Sequence, residues 1–160
     1  MSIQILPAYD RLEEIRELFL EYTDMLVEGD PSFREYLKLQ HYDEELIHPL
    51  RKYGLPEGRL YVALWEDTPA GCVALRRLDG EKCEMKRLYV KPSFRGRGIG
   101  GELLKRILAD AREIGYRCML LDTLPFLKQA IQMYRNAGFQ EIPIYNDSPM
   151  SSAIYMRLDL

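Results

Sequence analysis

Residues 88–101, Leu88-Tyr89-Val90-Lys91-Pro92-Ser93-Phe94-Arg95-Gly96-Arg97-Gly98-Ile99-Gly100-Gly101, place four glycines and three cations between a strand-like run and a long amphipathic stretch. A turn of this composition that opens a helix exposes backbone N–H groups with no internal carbonyl partner, and the aligned peptide dipoles make that end partly positive. A phosphate or diphosphate docks there readily. Glycine lets the backbone come close to such a ligand. Lys91, Arg95 and Arg97 add full charges, and a guanidinium matches the phosphate fork. The bland alternative is a turn whose glycines only supply positive φ and whose cations are solvated.

Two anion-binding templates compete for this stretch. Gly96-x-Gly98-x-x-Gly101 satisfies the dinucleotide fingerprint, and Asp122 ends the next strand about twenty residues later, where a ribose-binding acid belongs. That template implies an oxidoreductase or binding module for NAD(P). Against it, Lys91 to Arg95 intervene between strand and glycines, and Glu84, Lys86 and Arg87 suit a half-exposed antiparallel strand better than a buried parallel one. Only one strand–helix–strand crossover is visible. A P-loop is excluded, because no Gly-Lys-Ser/Thr ends the loop.

The remaining chemistry-bearing residues are sparse. Cys72, Cys83 and Cys118 are odd in number, widely spaced and set in strand-like runs, which reads as reduced, buried small hydrophobes. His41 and His48 are the only histidines, and no Cys-x-x-Cys or His-x-x-x-His spacing occurs, so no metal site is expected. With 22 basic and 25 acidic side chains the net charge is −3, which argues against broad nucleic-acid binding. The longest apolar run, Ala70 to Leu75, is far short of the ~20 residues of a membrane span. Met1 to Pro7 carries no basic opening or long apolar stretch, so a cytoplasmic location is expected.

The elements that must position the glycine turn follow from periodicity. Ile3 to Tyr9 predicts a first strand, and Asp10 with Glu13 predicts a capping box for the helix of Leu12, Ile15, Leu18, Phe19, Tyr22 and Leu26. Ser32 to Lys52 predicts a second, more polar helix, interrupted near His48-Pro49. Arg59–Trp65, Gly71–Arg77 and Cys83–Val90 predict an antiparallel meander with turns at Asp67-Thr68-Pro69-Ala70 and Asp79-Gly80. Ile99 through Ile114 traces one helical face that stops at Gly115. Then follow a strand at Arg117–Asp122, a helix at Phe126–Ala137 and strands near Phe139–Tyr145 and Ala153–Leu158 around the loop Asn146-Asp147-Ser148-Pro149. The order βααβββαβαββ predicts an α/β (α+β) fold with a mixed sheet, as a single domain over 1–160 of a size that buries well over half its unfolded surface.

With these elements in place, Arg95-Gly96-Arg97-Gly98-Ile99-Gly100 resembles the Arg/Gln-x-x-Gly-x-Gly/Ala signature of the GNAT superfamily of acetyl-CoA-dependent N-acetyltransferases. Ala130-x-x-x-Tyr134-Arg135-Asn136-Ala137-Gly138-Phe139 is similar to that family's Ala-x-x-Leu-Tyr-x-x-x-Gly-Phe segment, and the element order matches its mainly antiparallel sheet flanked by helices. The resemblance covers nearly the whole chain. It implies that the diphosphate of acetyl-CoA lies on the amides of Arg95, Gly96, Arg97, Gly98, Ile99, Gly100 and Gly101. It further implies that the pantetheine arm pairs with Leu88, Tyr89 and Val90, and that acetyl passes directly to a primary amine. One departure stands out: many members carry an Asn where this chain has Leu127.

A primary amine of pKa near ~10 is mostly protonated at neutral pH, so transfer needs a base. Counting by two puts Glu84, Lys86, Leu88 and Val90 on one strand face, although a β-bulge would change that parity. Glu84 lies eleven residues before Arg95, the offset at which histone-acetylating relatives carry their base, and is the candidate here; its bland role is a surface ion pair with Lys86 or Arg87. The motif makes Tyr134 the candidate acid toward the leaving thiolate, with core packing as its alternative. A strand amide of Leu88 to Val90 would hold the oxyanion. The family pocket for a small-molecule or peptide acceptor corresponds to about Glu28–Tyr42 and Tyr145–Ser152, where Glu35, Tyr36, Tyr145 and Asp147 could anchor a cation. A catalytically silent acyl-CoA-binding domain is the remaining alternative. Folds of this kind commonly dimerise through an outer strand, and no decisive apolar patch marks one here.

Overall fold

Strand-forming runs from both ends and the middle of the chain meet in one sheet. The computed structural model describes residues 2–160. Its strands are β1 (Ile3–Pro7), β2 (Arg59–Trp65), β3 (Thr68–Arg77), β4 (Lys82–Val90), β5 (Cys118–Thr123), β6 (Gln140–Ile142) and β7 (Ile154–Asp159). They lie in the order β1-β2-β3-β4-β5-β7-β6. Every pairing is antiparallel except β4 with β5. The helices are α1 (Leu12–Gly29), α2 (Phe33–Leu39), α3 (Tyr42–Ile47), α4 (Leu50–Tyr53), α5 (Ile99–Ile114) and α6 (Lys128–Asn136).

Period-two alternation sorts the strands between two layers. Tyr61, Ala63, Val73 and Leu75 face α5, where Ile99, Leu103, Ile107 and Ala111 form the apolar stripe. Leu60, Val62, Leu64 and Ala74 face α1 through Ile15, Leu18 and Phe19, with Tyr53 of α4 sealing that side. Each such side chain contributes roughly 1.5–3 kcal/mol on burial, so α5 is held by packing more than by intrinsic propensity. A third cluster, Leu26, Phe33, Tyr36, Leu124 and Met150, ties α1 and α2 to the loops around β5 and β7. The three cysteines are buried and free.

Several boundaries differ from expectation for local reasons. The predicted capping box at Asp10 and Glu13 does not form: Arg11 is the N-cap, without a side-chain cap, and its guanidinium pairs with Glu14 at 2.9 Å. The helical stretch expected over Ser32–Lys52 has its expected break at His48-Pro49 and a second, unexpected one where His41 adopts φ 56°, which makes three helices. Strand β3 begins at Thr68, not Gly71, because Glu66 and Asp67 take φ 49° and 68° and make a two-residue hairpin turn. Strand β6 ends at Ile142, and residues 143–153 run irregularly to β7.

The decisive irregularity lies in β4. The two-residue step from Ala74 to Cys72 on β3 is matched by a three-residue step on β4, from Lys86 to Tyr89, a bulge centred on Arg87 with φ 60°. Arg87 is buried, and its guanidinium donates to Glu45 of α3 at 2.8 and 3.0 Å, while Lys52 reaches the same carboxylate at 2.8 Å. Burial alone would raise the Glu45 pKa, but Arg87 and Lys52 overcome it and hold the carboxyl down at about 2. The bulge corrects the expected parity: Glu84 and Lys86 lie opposite Met85, whereas Leu88 and Val90 join Met85 on the α5 side. The parallel pairing ends before the bulge. Strands β4 and β5 match from Lys82↔Cys118 only to Glu84↔Leu120, then part.

Candidate active site

The parted strands leave the edge of β4 beyond Glu84 without a β5 neighbour, and a groove of about 580 Å³ runs past it. Tyr22 and Met25 of α1 form one wall and Ala130, Met133 and Tyr134 of α6 the other. Leu88, Tyr89, Val90, Arg95, Gly96, Gly98, Ile99, Gly100 and Gly101 all line it. After a short helical turn at Pro92–Phe94, Gly96 and Gly98 both take φ 80°, and Gly98 is the left-handed N-cap of α5. A side chain at either would meet no protein atom, so the open space above them belongs to the groove. The first amide of α5 to reach a carbonyl is that of Glu102, on Gly98 at 3.1 Å. The amides before it, from Gly96 to Gly101, have no backbone partner among the described residues. Unpaired amides, the helix dipole and the open space suit a diphosphate.

The cations divide. Arg95 is fixed at the groove lip, its Nε donating to the Val90 carbonyl at 3.0 Å. Lys91 pairs with Glu21 at 3.5 Å. Arg97 is the exception to the expected set: its guanidinium lies over Trp65 at 4.7 Å and Phe94 at 5.6 Å, and the residue does not line the groove. Arg97 remains exposed while it stacks on these two rings.

A second, much smaller cavity of about 30 Å³ adjoins the groove, sharing Tyr22, Leu88, Leu127 and Tyr134 with it. Its far walls carry Tyr36, Gln40, Lys86 and Asp122. Tyr134 stands at the junction, 6 % exposed, its ring against Phe139. Burial pushes its phenol well above the ordinary tyrosine range, so it holds its proton at neutral pH. Leu127 offers both spaces an apolar contact where many relatives are expected to present an amide.

Glu84 is placed differently from expectation. It is 3 % exposed and lies outside the linings of groove and cavity. One oxygen accepts from Arg76 Nε at 2.7 Å and the other from the Tyr145 hydroxyl at 2.5 Å. Burial works to raise its pKa, but Lys86, Arg76 and the Tyr145 hydrogen bond together leave it below the usual carboxylate range. Asp122 instead faces the cavity where β5 leaves β4. Its Oδ2 accepts from Tyr36, and from Asn146 Nδ2 at 2.9 Å, while Oδ1 has no hydrogen-bond partner among the described residues. Of the other residues considered for the acceptor, Tyr36 lines the cavity, Tyr145 is turned to Glu84, Asp147 is exposed, and Glu35 pairs with Lys38 at 3.2 Å on the surface.

Sequence reasoning assigned Asp122 only to a rival ribose site and passed over Lys86, Gln40 and Asn146. The strand count could have exposed Lys86 had the bulge been known; nothing local marks the other two. The dinucleotide template needs a parallel doubly wound sheet, and this sheet holds one parallel pair. Among the described residues no group of three His, Cys, Asp or Glu side chains could hold a metal ion, and no helix is long and apolar enough to cross a membrane.

A mainly antiparallel sheet, a split between two parallel strands and a glycine turn at a helix start define the class, and residues 12–139 match the Acetyltransferase (GNAT) family. The chain belongs to that family of acyltransferases. It is 38 % identical to an uncharacterized N-acetyltransferase of Schizosaccharomyces pombe over 162 aligned residues, covering all of this chain and 95 % of that one. In fold it is similar to an acetyltransferase of Streptococcus agalactiae (TM-score 0.77, 20 % identity, 100 % and 99 % of the two chains). It is also similar to the PaiA N-acetyltransferase of Thermoplasma acidophilum, solved with coenzyme A (TM-score 0.72, 21 % identity, all of both chains).

Proposed function

We propose that this chain moves acetyl from acetyl-CoA to a primary amine by direct transfer. The observation that carries the proposal is the groove itself, with unpaired amides from Gly96 to Gly101 at one end and the protonated Tyr134 where it meets the smaller cavity. A likeness to a relative solved with coenzyme A supports the choice of ligand. The amides hold the diphosphate, and the edge of β4 from Leu88 to Val90 pairs with the arm. Acetyl-CoA supplies the activated acetyl group as a thioester. Tyr134 gives its proton toward the departing sulfur, a step suited to a phenol that burial keeps protonated.

The amine must lose a proton in the cavity. Glu84, the candidate from strand position, lies outside the cavity lining with both oxygens engaged by Arg76 and Tyr145, and its lowered pKa makes it a weak acceptor. Asp122 stands on the wall with Oδ1 unengaged, so geometry favours it as the base. Thiol release from acetyl-CoA across polyamines, amino acids, aminoglycosides and peptides tests the reaction. Comparing pH–rate profiles of Glu84→Gln and Asp122→Asn then separates the two carboxylates: the variant that abolishes the acidic limb identifies the base. Calorimetric binding of NAD(P) with no response to coenzyme A would overturn the reaction altogether.

A further inference from the structure

Four charged side chains of the described chain are buried: Glu45, Glu84, Lys86 and Arg87. Glu45 and Arg87 pair with each other, and Glu84 pairs with Arg76. Lys86 alone has neither a salt bridge nor a hydrogen bond among the described residues; its ammonium lies over the Tyr36 ring, 5.7 Å from the centroid. Glu84 lies close enough for the Lys86 charge to favour its ionised form, but no oxygen is in direct contact with the ammonium, which leaves its N–H donors unused on the wall of the cavity.

The same cavity holds a second orphan. Gln40 caps the end of α2, and its Oε1 accepts from Arg87 Nη2 at 2.8 Å. Because a guanidinium only donates, that bond fixes which end of the amide is oxygen. Gln40 Nε2 is left as a fully buried donor without a partner. Two residues with an unused donor, one of them cationic, therefore line one cavity together with Asp122, whose Oδ1 has no hydrogen-bond partner among the described residues.

We propose that Lys86 and Gln40 bind the carboxylate of the acceptor, which makes the acceptor an amino carboxylate and not a simple amine or polyamine. The proposal rests on the acetyl-transfer reading for the amine end, while the acid end is argued from the two orphan donors. The cavity has room for about one water, so binding a whole acceptor requires α2 and residues 143–153 to part, at the expense of the contacts of Asn146 with Tyr36 and of Ser152 with Asp30.

The test measures thiol release by the full chain with alanine, β-alanine, 4-aminobutyrate, ornithine and lysine, each against the amine left by removing its carboxylate. At least one acid should exceed its matched amine tenfold or more in kcat/KM. Lys86→Met should raise KM for that acid about tenfold and change the matched amine less than twofold, with Lys86→Arg restoring the preference. Equal use of acid and amine by the wild type, or equal losses for both in Lys86→Met, overturns the proposal. Should Lys86→Met fail to fold, Gln40→Leu carries the same comparison. If no acceptor turns over, calorimetry of the corresponding N-acetyl amino acids with the coenzyme A-loaded protein decides: Lys86-dependent binding upholds the carboxylate site and removes acetyl transfer, and no binding removes the site.

Discussion

Tyr134 concentrates the chemistry that a single side chain can supply here. It lines both groove and cavity, and its raised pKa means that the proton is present throughout the neutral range, as the proposed role of acid requires. Tyr134→Phe keeps the ring packed on Phe139 and removes only the O–H. Turnover should fall by on the order of 10²-fold, the usual range for a lost general acid, with little change in acetyl-CoA affinity. Steady-state kinetics beside calorimetric binding check both halves, and unchanged turnover would return Tyr134 to a packing role. At the same scale Arg97 is a warning. Its type and position suited a phosphate, yet two aromatic rings claim it.

Among the elements, the turn into α5 does the most with the least sequence. Gly98 sits at φ 80° as the N-cap, where any other residue pays backbone strain of roughly 1–2 kcal/mol. Gly98→Ala should therefore destabilise the protein by about that amount and weaken acetyl-CoA binding by placing a methyl over the amides. Gly101, inside the helix and free of neighbours within 4 Å, behaves oppositely: alanine there should stabilise by up to about 1 kcal/mol. Urea unfolding of the two variants measures the contrast; a shared sign would show that strain is not what selects glycine at position 98. The bulge of β4 is the other governing element, because it turns Leu88 and Val90 to the α5 side and leaves Lys86 with Glu84 on the opposite face, on a strand without a β5 neighbour beyond Glu84.

Across the whole molecule, the bulge is locked by a charge cluster reaching from β4 to α3 and α4. Glu45 has a folded pKa of about 2 against an ordinary 4.5, so its contribution to stability is fully present above pH 4.5 and is lost as the pH falls toward 2. Glu45→Gln strands Arg87 without a counter-charge and should cost ~3–5 kcal/mol at neutral pH. The gap between wild type and variant should narrow at pH 3, as wild-type Glu45 begins to protonate. Denaturant titrations at pH 7 and pH 3 follow it, and a gap independent of pH would mean that the cluster does not carry acid sensitivity.

From the residues alone came the seven strands, the amphipathic α5 and the glycine turn that opens it, because each is written in local spacing: period two, period 3.6, and glycines where a helix begins; Tyr134 came from the likeness of its segment to a family motif. The short helices after Ser32, the parity of β4 beyond Lys86, and the grouping of Asp122, Gln40 and Lys86 around one cavity were decided only in three dimensions. The short helices follow from His41 at φ 56° and from His48-Pro49, and the parity of β4 from a single extra residue at Arg87, paired with Glu45 forty-two positions earlier. Local propensity cannot express a conformation that is stabilised by a distant charge, so the same residue types that announced a cofactor groove were silent about the pocket behind it.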